Sequence, residues 1–125
     1  MSKIKYQTKI CTIPQSTEAG KYPFAVTLDA DCDYAKGVAV YEVKSGGLIG
    51  QMLGLRQREG RTFQDPTLID DWLCSTSVAH DRRYKDFGES IPAKGKEMVI
   101  EIETLNSNDD DEAIYHVVFQ LVKED

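Results

Sequence analysis

Apolar and polar residues alternate along the last third of the chain with a two-residue period. In the first segment Met98, Ile100 and Ile102 alternate with Glu97, Glu101 and Glu103, and residues 113–122 place an aromatic or aliphatic side chain at every second position. This is the period of a β-strand, whose successive side chains point to opposite faces. An acidic stretch, residues 105–112, separates the two segments. We interpret them as a hairpin that anchors a small core and, since a lone hairpin is marginal in water, pairs with earlier strands.

The rest of the chain carries the same period, interrupted by turn-forming residues. In residues 3–13, Ile4, Tyr6, Thr8 and Ile10 lie on one side, and the lysines with Gln7 lie on the other. Lysines along one face are typical of an edge strand, because they discourage unwanted pairing. Further strands are predicted over residues 22–28, 37–44, 48–56, 61–64 and 84–91.

Two local signals refine this outline. Ser45-Gly46-Gly47 predicts a hairpin turn, since glycine supplies the positive φ that such turns require. Asp65 and Pro66 suit the N-cap and first position of one short helix ending by Ser75. With about eight strands and at most this helix, the sequence predicts an all-β fold. We expect a single domain over residues 1–125, an antiparallel two-sheet β-sandwich of jelly-roll or immunoglobulin-like strand order.

Composition and charge exclude several classes of function. The chain has 125 residues and a net charge of −6, which argues against nucleic-acid binding because that requires a basic surface. It has no apolar run of the roughly 18 residues that a membrane helix needs. The basic start lacks the apolar segment of a secretory signal. The three widely spaced cysteines, Cys11, Cys32 and Cys74, are therefore expected to be free thiols in a reducing compartment.

The arginines form the strongest candidate site. All five fall in the middle third of the chain, while acidic residues crowd the stretch before the last strand. Arginine is favoured where bidentate contacts or interfaces form. We predict that this cationic group meets the acidic loop on a neighbouring subunit or partner; the alternative is that these pairs form within one molecule. The predicted interface residues are Arg56, Arg58, Arg61, Arg82, Arg83, Asp109, Asp110, Asp111 and Glu112.

Two acidic loops offer a calcium alternative. Asp29, Asp31 and Asp33 have the spacing of the first three ligands of an EF-hand, but Tyr34 stands where that loop needs glycine, and its bidentate glutamate is missing. The run at residues 106–112 has clustered oxygens without diagnostic spacing. We interpret both as acidic surface loops, with calcium binding as the alternative.

Catalytic and sugar-binding alternatives rest on single side chains. Cys74 with His80 or Asp81 would supply a nucleophile and a base only if they meet in space. No zinc-ligand spacing and no phosphate-binding glycine loop is present, and His116 lies in a strand as a packing residue. An aromatic platform for sugar would use Trp72, Tyr84 and Phe87, although a single tryptophan beside leucines also suits a core.

The layout resembles the small β-sandwich proteins of tailed-bacteriophage virions, namely capsid auxiliary, decoration and head–tail components. The similarity lies in the lysine-flanked first strand, the Ile-Pro-x-x-Gly-Lys entry at residues 91–96 and the closing strand at residues 115–121. It implies a non-enzymatic structural protein without a cofactor, in the virion after assembly in the host cytoplasm. Its partners would be proteins, as an oligomer or repeated assembly, and neither nucleic acid nor membrane. The alternatives are a carbohydrate- or calcium-binding module and an enzyme of unrecognised type.

Overall fold

Eight strands make up most of the chain. A computed structural model describes residues 3–15, 17–44, 46–48, 51–57, 62–68, 85–108 and 111–124, with backbone alone over 62–68 and 85–90. The strands are β1 (Lys3–Ile13), β2 (Gly20–Thr27), β3 (Tyr34–Lys44), β4 (Met52–Gln57), β5 (Thr62–Leu68), β6 (Lys85–Pro92), β7 (Glu97–Thr104) and β8 (Ala113–Lys123). These residues include no helix. The predicted all-β fold of about eight strands is confirmed.

The strands form two antiparallel sheets of four. The first sheet has the order β1-β8-β3-β6, and the second sheet has the order β2-β7-β4-β5. Four pairings are nested, because β4 pairs with β5, β3 with β6, β2 with β7 and β1 with β8. The chain therefore follows one long hairpin wrapped into two layers. This is the strand order of a jelly roll, and the immunoglobulin-like alternative is wrong.

The core lies between the two sheets and takes alternate residues from each. From β8 it receives Tyr115, Val117, Phe119 and Leu121, and from β7 it receives Met98, Ile100 and Ile102, all of them fully buried. The glutamates of β7 lie on its other face, partly exposed. The faces predicted for these two segments are therefore confirmed. Each large apolar side chain buried in this way contributes about 1.5–3 kcal/mol.

The predicted hairpin between the last two strands is wrong. β7 pairs with β2 and β4, while β8 pairs with β1 and β3, so residues 105–112 cross from one sheet to the other. The predicted hairpin turn after β3 is wrong for the same reason, since β3 and β4 belong to different sheets. Gly46 and Gly47 do have positive φ angles of 61° and 84°. Alternation indicates which face of a strand is buried, not which strand lies beside it.

The predicted helix start at Asp65 and Pro66 is also wrong. Both residues lie in β5, at a register shift between the pairs Leu53–Thr67 and Leu55–Gln64. β5 is the edge of the second sheet, where a proline removes no hydrogen bond that the sheet needs. The remainder of the predicted helix, residues 69–75, lies outside the described residues.

A buried asparagine fastens one end of the sandwich. The side chain of Asn108 is fully buried, and its Nδ2 donates to the carbonyl oxygens of Ile13 at 3.0 Å, Pro14 at 2.8 Å and Asp111 at 3.2 Å. Its Oδ1 accepts a hydrogen bond from the Thr17 amide at 2.9 Å. Asn108 therefore ties the end of β1 to the crossing that leads into β8.

Candidate protein-contact surface

Over most of β1, the side that carries lysines faces the other sheet, and the side that carries isoleucines faces outward. Cys11 and Ile13 are buried in the core, and Lys5, at the same parity along the strand, lies on the inner side of the sheet. Its Nζ forms an ion pair with Asp29. The aliphatic residues Ile4 and Ile10 lie on the outer side and are exposed.

Polar contacts explain why the inner side of β1 tolerates these residues. The Nε2 of Gln7 donates to the Thr27 carbonyl at 2.8 Å, and its Oε1 accepts from the Asp29 amide at 2.9 Å. Gln7 and Lys5 thus connect the edge of the first sheet to the end of β2 and the loop that follows it. The edge of the sandwich is closed by hydrogen bonds and an ion pair, which leaves the apolar side of β1 facing outward.

The outer side of the first sheet carries an uncharged surface across β1, β8 and β3. The register sets its residues in five rows that cross the strands. The rows are Ile4–Val122–Tyr34, Tyr6–Gln120–Gly37, Thr8–Val118–Ala39, Ile10–His116–Tyr41 and Thr12–Ile114. We call these fourteen residues the neutral face, since none of them is Lys, Arg, Asp or Glu. On the β3 side it is bordered by Lys36, in a bulge, by Lys44, which is paired with Ile114, and by Asp86 of β6, which is paired with Gly37.

The β1 side of the neutral face is open to solvent. Relative exposure is 50% for Ile4, 44% for Tyr6 and 55% for Ile10. The central strand β8 is more shielded: Ile114, His116 and Val118 are partly exposed, and Gln120 and Val122 are buried. Large aliphatic side chains normally contribute to stability only when they leave water, so their alignment on one exposed face indicates a contact surface.

The outer side of the second sheet is charged. Glu97, Glu101 and Glu103 lie there on β7, with Lys21 opposite Glu103 on β2. The Nε of Arg56, on β4, lies 4.0 Å from the Oε2 of Glu101. We call this surface, over β2, β7 and β4, the charged face. The two faces of one sandwich therefore differ sharply in chemistry.

The predicted arginine interface is only partly described. Arg56 lies on the charged face, and Arg58, Arg61, Arg82 and Arg83 lie outside the described residues. The ion pair of Arg56 is within the molecule, but its partner Glu101 belongs to β7 and not to the acidic loop, so it tests neither alternative. The contact between the arginines and an acidic loop of another molecule stays a prediction.

The acidic loop also pairs within the molecule where it is described. The Nζ of Lys44 lies 3.3 Å from the Oδ2 of Asp111 and 3.8 Å from the Oε1 of Glu112. The Glu112 amide and this lysine hold the pKa of Asp111 below its ordinary value. Gly46 approaches the same segment, and a Cβ there would lie 2.5 Å from the Asp111 carbonyl oxygen. Asp109 and Asp110 lie outside the described residues.

The carboxylates of the other candidate calcium loop are used as hydrogen-bond acceptors. Asp29 accepts from Lys5 and, at 2.8 Å, from the Asp31 amide. Asp33 accepts from the Glu124 amide at 2.7 Å and pairs with Lys94 at 3.0 Å. These donors lower the pKa values of Asp29 and Asp33. Over the part of the chain that the structure describes, no three His, Cys, Asp or Glu residues converge as metal ligands.

The remaining candidates are described in part. Cys11 and Cys32 are free, buried thiols, and burial raises the pKa of Cys11 to about 12, which makes it unreactive. His116 lies between Ile10 and Tyr41 on the neutral face. Phe87 belongs to β6. The other proposed catalytic and sugar-binding residues, Trp72, Cys74, His80, Asp81 and Tyr84, lie outside the described residues.

Comparison of the sequence with protein families and curated proteins finds no match. Across the residues with a described structure, no helix is long and apolar enough to cross a membrane.

The neutral face is the feature that sequence reasoning missed, although the sequence contains its signal. In residues 113–122, Ile114, Val118 and Val122 lie on the side opposite the core residues, so both sides of this strand are apolar. A strand in a two-layer sandwich has only one side against the other sheet. Apolar residues on both sides therefore indicate a second contact surface.

Proposed function

We propose that the protein is a non-enzymatic structural subunit that acts through protein–protein contacts in a larger assembly. The assembly we propose is a tailed-phage virion, with the protein as a capsid auxiliary, decoration or head–tail component. The neutral face carries this proposal, because it offers aliphatic and aromatic side chains to solvent, while the charged residues in register with its rows, Lys44 and Asp86, lie at its β3 border. Subunit contacts of this kind are depleted of charge at their centres.

The fold supports the same proposal. A jelly roll with nested strand pairing holds the neutral face on three hydrogen-bonded strands, each 11 residues long. A surface of this kind is rigid, so little conformational entropy is lost when a partner binds. The charged face on the opposite side keeps the free subunit soluble before assembly.

Quantitative mass spectrometry of purified particles tests the virion assignment. We expect the chain at many copies per particle, in constant ratio to the major capsid protein and resistant to washing. Its presence in the infected-cell lysate but not in purified particles would contradict the proposal. A catalytic activity of the purified chain that is lost on substituting Cys74 or His80 would favour the enzyme alternative instead.

A further inference from the structure

We infer that the partner of the neutral face is the neutral face of a second copy of this chain. Two molecules would meet through the outer sides of their first sheets and form a symmetric dimer. This rests on the proposed function, because it names the partner at the surface which that function uses. Size, charge, shape and the protection of the sheet edge each support it.

The size of the neutral face suits a weak dimer. Three strands of 11 residues cover roughly 37 Å by 14 Å, or on the order of 500 Å² per copy. Two copies would bury about 1,000 Å², which is the lower limit for a specific interface. We therefore expect a reversible dimer with a micromolar dissociation constant rather than an obligate one.

The charge of the chain favours a neutral surface for self-contact. At a net charge of −6, two copies repel one another. In a two-fold symmetric contact each patch meets itself, so a patch of one charge would add to that repulsion. An uncharged apolar patch is complementary to itself. On the charged face the three glutamates of β7 outnumber Lys21 and Arg56, so contact of this face with itself would add to the repulsion.

The shape of the neutral face is also complementary to itself. Its central row is the small set Thr8, Val118 and Ala39, and the next row is the larger set Ile10, His116 and Tyr41. Alternate residues of a strand lie about 6.8 Å apart, so the central row forms a shallow groove beside a ridge. When two copies pack with an offset of one row, the ridge of each lies in the groove of the other.

The free edge of β1 is a poorer site for a second copy. Pairing of two β1 edges would continue the sheet, but inward-pointing lysines on an edge strand oppose such pairing. Lys5 is held on the inner side by Asp29, and Gln7 is bonded to the end of β2. The structure therefore protects the edge and leaves the outer face as the surface available for a symmetric contact.

A matched pair of substitutions tests this inference. Thr8 and Thr27 are both exposed threonines on edge strands, one on the neutral face and one on the outer side of the second sheet. We expect the unmodified chain and Thr27→Lys to show the same monomer–dimer equilibrium by sedimentation between low and several hundred micromolar concentration. Thr8→Lys places a charge from each copy in the central row of the contact, on its β1 side, and should weaken association at least tenfold, or about 1.4 kcal/mol.

Two further measurements keep the result interpretable. The melting temperature and circular dichroism of both variants should match those of the unmodified chain, and if Thr8→Lys fails to fold, Ile10→Lys replaces it. Association should persist or strengthen as sodium chloride rises, because salt screens the repulsion between two acidic molecules. Dissociation by salt would overturn the inference in favour of the arginine–acidic contact.

The outcomes separate this inference from the proposed function. A chain that stays monomeric at every concentration, or a Thr8→Lys variant that dimerises normally, overturns the second-copy contact. If such a monomer still enters particles and Thr8→Lys prevents this, a different subunit covers the neutral face and the proposed function stands. A salt-stable dimer that is sensitive to Thr8→Lys but absent from purified particles supports the contact and contradicts the virion role.

Discussion

The two outer faces of this sandwich are built on the same kind of scaffold and carry opposite chemistry. On the charged face, glutamates of β7 lie beside Lys21 and Arg56. On the neutral face, the corresponding positions of β1, β8 and β3 carry aliphatic, aromatic and uncharged polar residues. Both sheets bury their inner sides in one shared core. The fold therefore requires apolar residues only between the sheets, and those on the neutral face need another explanation.

The difference teaches that an apolar residue in a strand need not belong to the core. β8 shows this within one segment, because its odd-numbered residues from 115 to 121 are fully buried and its even-numbered residues form the middle of the neutral face. If the comparison is right, substitutions on the two sides of β8 and on the two outer faces will have separable effects on stability and association.

The largest expected effect comes from the inner side of β8. Phe119→Ala removes a fully buried ring and leaves a cavity, so we expect the free energy of unfolding to fall by about 3–5 kcal/mol. Val118→Ala, the neighbouring residue on the neutral face, should lower it by less than about 1 kcal/mol. Urea denaturation, at a protein concentration below the dimer dissociation constant, measures both changes. Equal losses would mean that the neutral face is part of the folding core.

The next largest effect is expected at Asn108, whose hydrogen bonds join the end of β1 to the crossing before β8. Asn108→Ala removes the donor to three carbonyl groups and the acceptor for the Thr17 amide. Leaving such groups without partners costs about 1–3 kcal/mol, and we expect a loss near the upper limit. Asn106→Ala, in the same crossing but partly exposed, is the matched control and should cost less. An unchanged melting temperature for Asn108→Ala would show that the buried amide is not needed.

Acid should lower stability by protonating the carboxylates of ionic contacts such as that of Asp33, which lie outside the neutral face. The Glu124 amide and Lys94 lower the pKa of Asp33 in the folded chain, so its contribution to stability is present above the unfolded pKa and is lost as pH falls through the folded value. We expect Asp33→Asn to lower the melting temperature at neutral pH and to converge with the unmodified chain below about pH 4. Asp31→Asn is the control in the same loop. Parallel pH curves for Asp33→Asn and the unmodified chain would contradict this reading.

The smallest effect is expected on the charged face. Arg56 and Glu101 are partly exposed and 4.0 Å apart, so Arg56→Ala should change the free energy of unfolding by about 1 kcal/mol or less. The monomer–dimer equilibrium should stay unchanged, which sedimentation measures. A loss of association in Arg56→Ala would assign the contact to the charged face and make the comparison between the faces wrong.

The sequence predicts the strands well because each has its own local pattern. Alternation in residues 98–104 and 113–122 identifies both strands and their buried sides. Partner choice is different, since it depends on which segments fold back on one another, and the wrongly predicted terminal hairpin illustrates this. The helix prediction failed because Asp65 and Pro66 fit a helix start as well as they fit an edge strand with a register shift.

The candidate contact surface was harder to predict than the fold. In residues 3–13 the hydrophobic pattern favours Ile4 and Ile10 as the inner side, yet Cys11 and Ile13 set the opposite parity. Only the contacts of Lys5 and Gln7 with the end of β2 and the loop that follows it make that arrangement favourable, and they join residues 20 or more positions apart. Long-range polar contacts of this kind leave no periodic signal.

Nested strand pairing places Lys3 directly beside Lys123, so the two ends of the folded chain leave the sheet at one corner. It also makes the pairing of β1 with β8 the last loop to close, which predicts slow folding for so small a protein. A circular permutant that joins these ends through a short linker and opens between β4 and β5 would turn that most distant pairing into a local one. Such a rearranged chain should fold faster while presenting both outer surfaces unchanged.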